Sequence, residues 1–205
     1  MNPDISSSPD VYRSISAPSE GLYKELGSRF IALAYPVESE EEVRRKLSEV
    51  RSLYHDARHH CSAYRIGLCG QLWRASDDGE PSGTAGRPIL GQIDSASLSD
   101  ILIIVVRYFG GIKLGVPGLI RAYRTAAADA ISHAGIIEKT AGDWFRVGFS
   151  YPDMPRVMKL LKDLDLPVRN RDWSEDCTLE VRVPLSGQKD FLERISAMSN
   201  FASLL

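Results

Sequence analysis

Ile101-Leu102-Ile103-Ile104-Val105-Val106-Arg107-Tyr108-Phe109 is the longest apolar run of the chain, closed by a cation and two aromatics, and it decides the class of fold. Ile101 to Val106 is strand-sized and falls far short of the roughly 20 apolar residues that a membrane-spanning helix needs. Upstream, Tyr23 to Val37 carries Phe30, Ile31, Ala32, Leu33, Ala34 and Tyr35, which suits a strand buried on both faces and ended by Pro36. Ser39 then predicts an N-cap, with Glu40, Glu41 and Glu42 in the first turn of a helix whose buried stripe is Val43, Leu47, Val50 and Tyr54. Cys61 to Leu68 and Gln71 to Ala75 read as two strands joined at Gly70. A short helix follows Thr84, which can cap it, because Ile89, Leu90 and Ile93 recur at helical spacing. Beyond the central run, Leu119, Tyr123, Ala126, Ala127, Ala130 and Ala134 mark a helix with a small-residue inner face, opened by Pro117 and closed by Gly135.

From about Ala141 the order is strand, helix, strand, strand, helix, strand, the split βαβ or ferredoxin-like pattern. Phe145 to Tyr151, Pro167 to Trp173 and Thr178 to Pro184 supply strands, Pro155 to Leu164 and Gly187 to Met198 the helices, and Phe201 to Leu205 the last strand. The expected organisation is α+β in two domains, residues 21–138 and 139–205. Residues 1–20, rich in Ser, Pro and Asp, read as a disordered tail without the basic start and apolar stretch of a secretory signal.

Composition narrows the partners. The net charge is −2, so attraction to a phosphate backbone has to come from a local basic patch. Cys61, Cys69 and Cys177 are odd in number and lack C-x-x-C spacing, which argues against a disulfide framework and for a reducing cytoplasm.

Two loops carry the candidate chemistry. Asp77-Asp78-Gly79-Glu80-Pro81-Ser82-Gly83-Thr84 sets three carboxylates and two glycines ahead of a helix start. Such a loop can cradle an anion on backbone amides, hold Mg²⁺ on its carboxylates, or be a charged turn whose acids cap amides. Arg107-Tyr108-Phe109-Gly110-Gly111-Ile112-Lys113, with Arg121 and Arg124 on the next helix, sets cations and rings around a flexible loop. Single-stranded nucleic-acid sites pair phosphates with cations and stack bases on rings in this way. The competing reading makes Tyr108 and Phe109 core residues and pairs the cations with Asp77, Asp78 and Glu80. The spacing around Lys113 is not that of a P-loop, Ser82 has no nucleophile elbow, and no catalytic triad can be assembled. His55 and His59 would share a face only if the first helix ran on through them.

The ordered pair of loops, with Ser28-Arg29-Phe30, Asp56-Ala57, His59, Cys61 and Ala63 to Gly67, resembles the YigZ/IMPACT family over about residues 27–131. The resemblance implies an N-terminal domain of the ribosomal protein S-five domain 2-like fold and a C-terminal ferredoxin-like domain similar to domain V of elongation factor G. It implies a non-enzymatic translation regulator that binds RNA, the ribosome or a translation protein; from the cationic, glycine-rich edge itself, Arg29, Arg107, Lys113 and Arg121 are expected to contact phosphates and Tyr108 or Phe109 to offer a stacking face. A Mg²⁺-dependent enzyme acting on a phosphorylated small molecule or nucleotide, and a protein-interaction module, are the rival classes. The chain departs from the family pattern at Val116-Pro117, where Thr-Gly is expected, at Arg58 for Thr, at His60 for Asn and at Arg124 for Gly. Leu26-Gly27 stands where the pattern has a lysine.

Overall fold

The computed structural model describes residues 9–174 and 176–205. They divide into two compact units, Tyr12–Lys139 and Thr140–Leu205, the latter joined by residues 9–11. Both mix helices with antiparallel sheets, an α+β organisation.

The larger unit is built on five strands: β2 (Ser19–Glu25), β3 (Ser28–Pro36), β4 (His59–Ile66), β5 (Leu72–Ser76) and β6 (Ile101–Tyr108). Their order is β2-β3-β6-β4-β5, so the apolar run of β6 lies in the middle, paired antiparallel with β3 and β4. Alternate residues go to opposite faces. Ile101, Ile103 and Val105 pack with Phe30, Ala32 and Ala34 against α2 (Gly86–Ser95) and α3 (Gly115–Ser132). Leu102, Ile104 and Val106 pack with Leu33, Val43 and Val50 on the side of α1 (Glu40–Leu53). Ser39 caps α1 as expected, its Oγ accepting from the Glu42 amide at 3.2 Å. The small inner face of α3 has a steric reason. A Cβ on Gly21 of β2 would lie 2.3 Å from the Ala130 amide nitrogen, so helix and strand touch backbone to backbone.

Two sequence expectations are corrected here. The strand foreseen over Tyr23 to Val37 is two strands folded into a hairpin, because Leu26 and Gly27 turn at φ 46° and 77°. Residues 9–20 are not a tail: β1 (Val11–Ile15) pairs with β7 (Ile136–Thr140), and Ser19 begins β2. Backbone pairing, the fully buried Ser14 and Ile15, and the Tyr12 hydroxyl donating to Asp100 at 2.6 Å hold that segment, none of which composition reveals. Residues 1–8 lie outside the described residues. The first helix stops at Leu53 and His59 sits on β4, so His55 and His59 share no helical face.

The smaller unit has β8 (Gly142–Phe149), α4 (Met154–Asp163), β9 (Val168–Asp172), β10 (Cys177–Pro184), α5 (Gln188–Ser196) and β11 (Phe201–Leu204). The sheet order β11-β8-β10-β9 is the order of a split βαβ unit. Phe145, Val147 and Phe149 on β8 and Leu179, Val181 and Val183 on β10 alternate onto one face, covered by Val157, Leu160 and Leu161 of α4 and Phe191 and Ile195 of α5. Among the described residues no helix is long and apolar enough to cross a membrane.

Candidate functional site

The acidic loop is held by its own carboxylates. Asp77 accepts from the amides of Gly83 at 2.8 Å, Ala85 at 3.0 Å and Gly86 at 2.8 Å, which are orphan donors at the start of α2. It therefore does the capping that the sequence assigned to Thr84, whose Oγ1 donates instead to the Pro81 carbonyl at 2.7 Å. Asp78 sits at φ 41°, accepts from Arg51 and from the His60 amide, both at 2.7 Å, and passes to Gly79 at φ 88°. Glu80 is turned inward: Oε1 accepts from Arg107 at 2.6 Å and from the Tyr123 hydroxyl at 2.8 Å. The three acids point to three separate sets of protein donors. Among the described residues no three metal-ligating groups converge, so this loop does not form the Mg²⁺ cage considered from sequence.

Burial pushes the Asp77 carboxyl up, but its three amide donors outweigh that and leave it below the usual carboxylate range. Stability drawn from such a group is present above the unfolded value and lost as pH falls through the lower folded one. Asp77→Ala is expected to cost about 1 to 2 kcal/mol in urea denaturation at pH 7, and the gap from the parent should narrow as the pH falls through and below the ordinary carboxylate range.

Below the loop runs a buried polar chain. Cys61 Sγ lies 3.3 Å from the Tyr123 hydroxyl, which donates to Glu80, which pairs with Arg107. Burial pushes the Cys61 thiol up to about 12, and burial also raises the Tyr123 hydroxyl, so neither ionises near neutrality. Cys61 is thus a structural thiol and no nucleophile.

Arg107 forms part of the wall of an open cleft of about 720 Å³. Arg58 and His59 line one side, Pro81 and Glu80 another, and Phe109, Lys113 and the first turn of α3 the third. Lys113 and Arg58 are exposed and, among the described residues, neither makes an ion pair. The Nε of Arg107 is buried with no hydrogen-bond partner, on a side chain that is 9% exposed. Phe109 is 57% exposed beside it, with the Arg107 guanidinium 5.6 Å from its ring centroid. No side chain caps α3, so the amides of its first turn are left open at the cleft.

Residues 26–131 match the family described as the Impact N-terminal domain. The chain is 34% identical to the IMPACT family member YvyE of Bacillus subtilis over 84% of its own length and 80% of the relative's. It is 42% identical to an IMPACT family member of Thermus thermophilus over 78% and 87% of the two chains. The chain belongs to the IMPACT family. A crystal structure described as that of a hypothetical protein is similar throughout, with 30% identity, a TM-score of 0.69 and 92% of each chain covered.

Placed on this IMPACT-family fold, three of the five expected nucleic-acid contacts, Arg107, Tyr108 and Lys113, line the cleft, while Arg29 and Arg121 lie outside it. Lys113 stands free in the cleft. Arg107 is sealed against Glu80. Arg121 is outside the cleft and paired with Glu25. Tyr108 leaves β6 on the opposite face from Arg107; its hydroxyl donates to Asp56 at 2.6 Å and its ring carries Arg29 at 5.3 Å. Arg124 lines a separate groove with Arg87, between α2 and α3. In the signature loops, Gly110 is required by contact, since a Cβ there would lie 2.0 Å from the Gly27 carbonyl carbon. Gly83 and Gly111 have φ 76° and 91°, while Ser82 is exposed. Phe109, a ring that the sequence offers for stacking, and Arg58 both line the cleft with Lys113. Arg58, which stands where the family pattern has Thr, makes no ion pair among the described residues, the carboxylates of that cleft being Asp56 and Glu80.

Proposed function

We propose that this IMPACT-family protein is a non-enzymatic, translation-associated module that binds single-stranded RNA in the cleft between the acidic loop and α3. The observation that carries the reading is the combination of two free cations, Arg58 and Lys113, with an exposed ring, Phe109, over the unpartnered Nε of Arg107. Cations take phosphates and rings take bases without reading their sequence. The uncapped start of α3 adds amide donors of the same sign, reduced by Pro117, which has none. The order of strands and helices supports the finer fold names, ribosomal protein S-five domain 2-like followed by ferredoxin-like as in elongation factor G domain V, and a cytoplasmic protein fits that role.

Two variants test the cleft by fluorescence anisotropy with a labelled single-stranded RNA. Lys113→Ala should weaken binding about fivefold, one exposed charge contact of about 1 kcal/mol. Phe109→Ala should weaken it about tenfold, since stacking one base is worth roughly 1 to 3 kcal/mol. Unchanged affinity in both would remove the RNA reading. Exposed Phe109 and Val116 also line the cleft, which favours a protein partner as the second reading; nuclease-resistant capture that Phe109→Ala abolishes would select it.

A further inference from the structure

From the exposed face of the four-stranded sheet in the smaller unit, we infer a second binding surface, for single-stranded RNA, made by Trp144, Arg146, Arg182 and Phe201. Helices α4 and α5 cover the face that carries Phe145, Val147, Val181 and Val183. The residues between them in sequence therefore stand on the other face.

The strand register arranges them in rows. Arg182 lies opposite Trp144 at one end, Glu180, Arg146 and Ser203 form the middle row, and Thr178, Gly148 and Phe201 the other end. On the far side of Glu180, Arg169 is its neighbour on β9. Gly148 is what lets the aromatic lie flat. A Cβ there would fall 2.2 Å from a ring carbon of Phe201, so the ring rests on bare backbone while remaining 46% exposed. At the opposite end the Arg169 guanidinium stacks on Trp144, 3.8 Å from the ring centroid, and presents its own outer plane.

Among the described residues, cations outnumber carboxylates on this face: Arg146, Arg169 and Arg182 against Glu180 and Asp172. Glu180 is occupied by Arg169 at 2.7 Å and by Asn170 at 2.9 Å, and those donors hold it below the usual carboxylate range, while Asp172, opposite Thr178, accepts from the Ser174 amide at 3.1 Å. Arg146 and Arg182 are exposed and, among the described residues, make no ion pair; Arg182 Nε donates only to the Gly142 carbonyl, at 3.3 Å. Two cations outside any ion pair among the described residues, Arg146 between the Trp144 and Phe201 rows and Arg182 opposite Trp144, fit a chain of alternating phosphates and bases. A protein ligand would meet little buried apolar area here. Duplex RNA could use the arginines but not the rings, because its bases are already stacked.

The site is separate from the cleft, and its test separates the two. An eight-nucleotide oligouridylate is bound to the full chain, its affinity is measured, and ultraviolet cross-links are mapped to peptides. Cross-links are expected at Phe201 or Trp144. The variant Arg146→Gln/Arg182→Gln should bind about tenfold or more weakly, two charge contacts of about 1 kcal/mol each, with an unchanged melting temperature because both side chains lie at the surface. Phe201→Leu should lower affinity for the single strand and leave affinity for a duplex of the same length alone. Parent affinity in both variants, with cross-links confined to the cleft, overturns this surface and leaves the cleft standing. Cross-links here that persist in Lys113→Ala support the surface whatever becomes of the cleft.

Discussion

Glu80→Ala is expected to lose about 3 to 5 kcal/mol of stability, because it leaves the Arg107 guanidinium buried without its counter-charge. The two side chains are 4% and 9% exposed, so water cannot take the place of the lost carboxylate. The rings of Phe30 and Phe109, 5.4 and 5.6 Å from the guanidinium, offset only part of the loss. The Tyr123 hydroxyl loses its acceptor in the same step. For a chain of 205 residues the change corresponds to a fall in melting temperature of about 10 °C. Removing both partners together should behave differently. Glu80→Leu/Arg107→Met, an apolar pair of similar volume, should return close to parent stability, since a buried ion pair and a packed apolar pair are nearly equivalent. Denaturant melts followed by circular dichroism distinguish these outcomes. Equal losses in the single and double variants would mean that the pair itself, and not the orphaned charge, sets the cost.

Gly110→Ala is the second large effect. Its Cβ would stand 2.0 Å from the Gly27 carbonyl carbon and 2.2 Å from the Ser28 nitrogen, and both are backbone atoms that no rotamer change can move. Either the β2–β3 turn or the loop after β6 must shift, and the Gly110 amide would lose the Ser28 Oγ, which accepts from it at 3.1 Å. A loss of about 3 kcal/mol is expected, the upper end of overpacking, together with weaker RNA binding as Phe109 and Lys113 are displaced. Gly111→Ala separates crowding from strain. Gly111 has nothing within 4 Å of its would-be Cβ but a φ of 91°, so it should lose only about 1 kcal/mol in the same melts.

How much of this was legible in the sequence follows from the range of the forces involved. Local signals spoke clearly. The run from Ile101 to Val106 became the central strand, Ser39 with its three glutamates became a capped helix, and the smaller unit's order of strands and helices was readable from alternation and turns. Contacts between distant residues did not speak. Nothing near Val11 announces that it will pair with a strand after Gly135, and Leu26-Gly27 looked like part of a strand because leucine rarely adopts a positive φ. In the site, parity held an unused signal. Arg107 shares its face with Ile101, Ile103 and Val105 on the side of α2 and α3, while Tyr108 shares the opposite face with Leu102, Ile104 and Val106 on the side of α1. Treating the two as one surface motif ignored that alternation. Glu80, which accepts from both Arg107 and the Tyr123 hydroxyl, lies 27 and 43 residues from them along the chain, and only the folded structure brings the three together.

The measurement that bears most directly on the cleft is the salt dependence of RNA binding in the parent and in Arg58→Ala/Lys113→Ala. If these two side chains hold phosphates of a single strand, the slope of log affinity against log salt should be shallower in the variant by about 1.4, roughly 0.7 for each contact removed. Identical slopes in the two proteins would contradict the account, because the binding would then owe nothing to the cations that define the cleft.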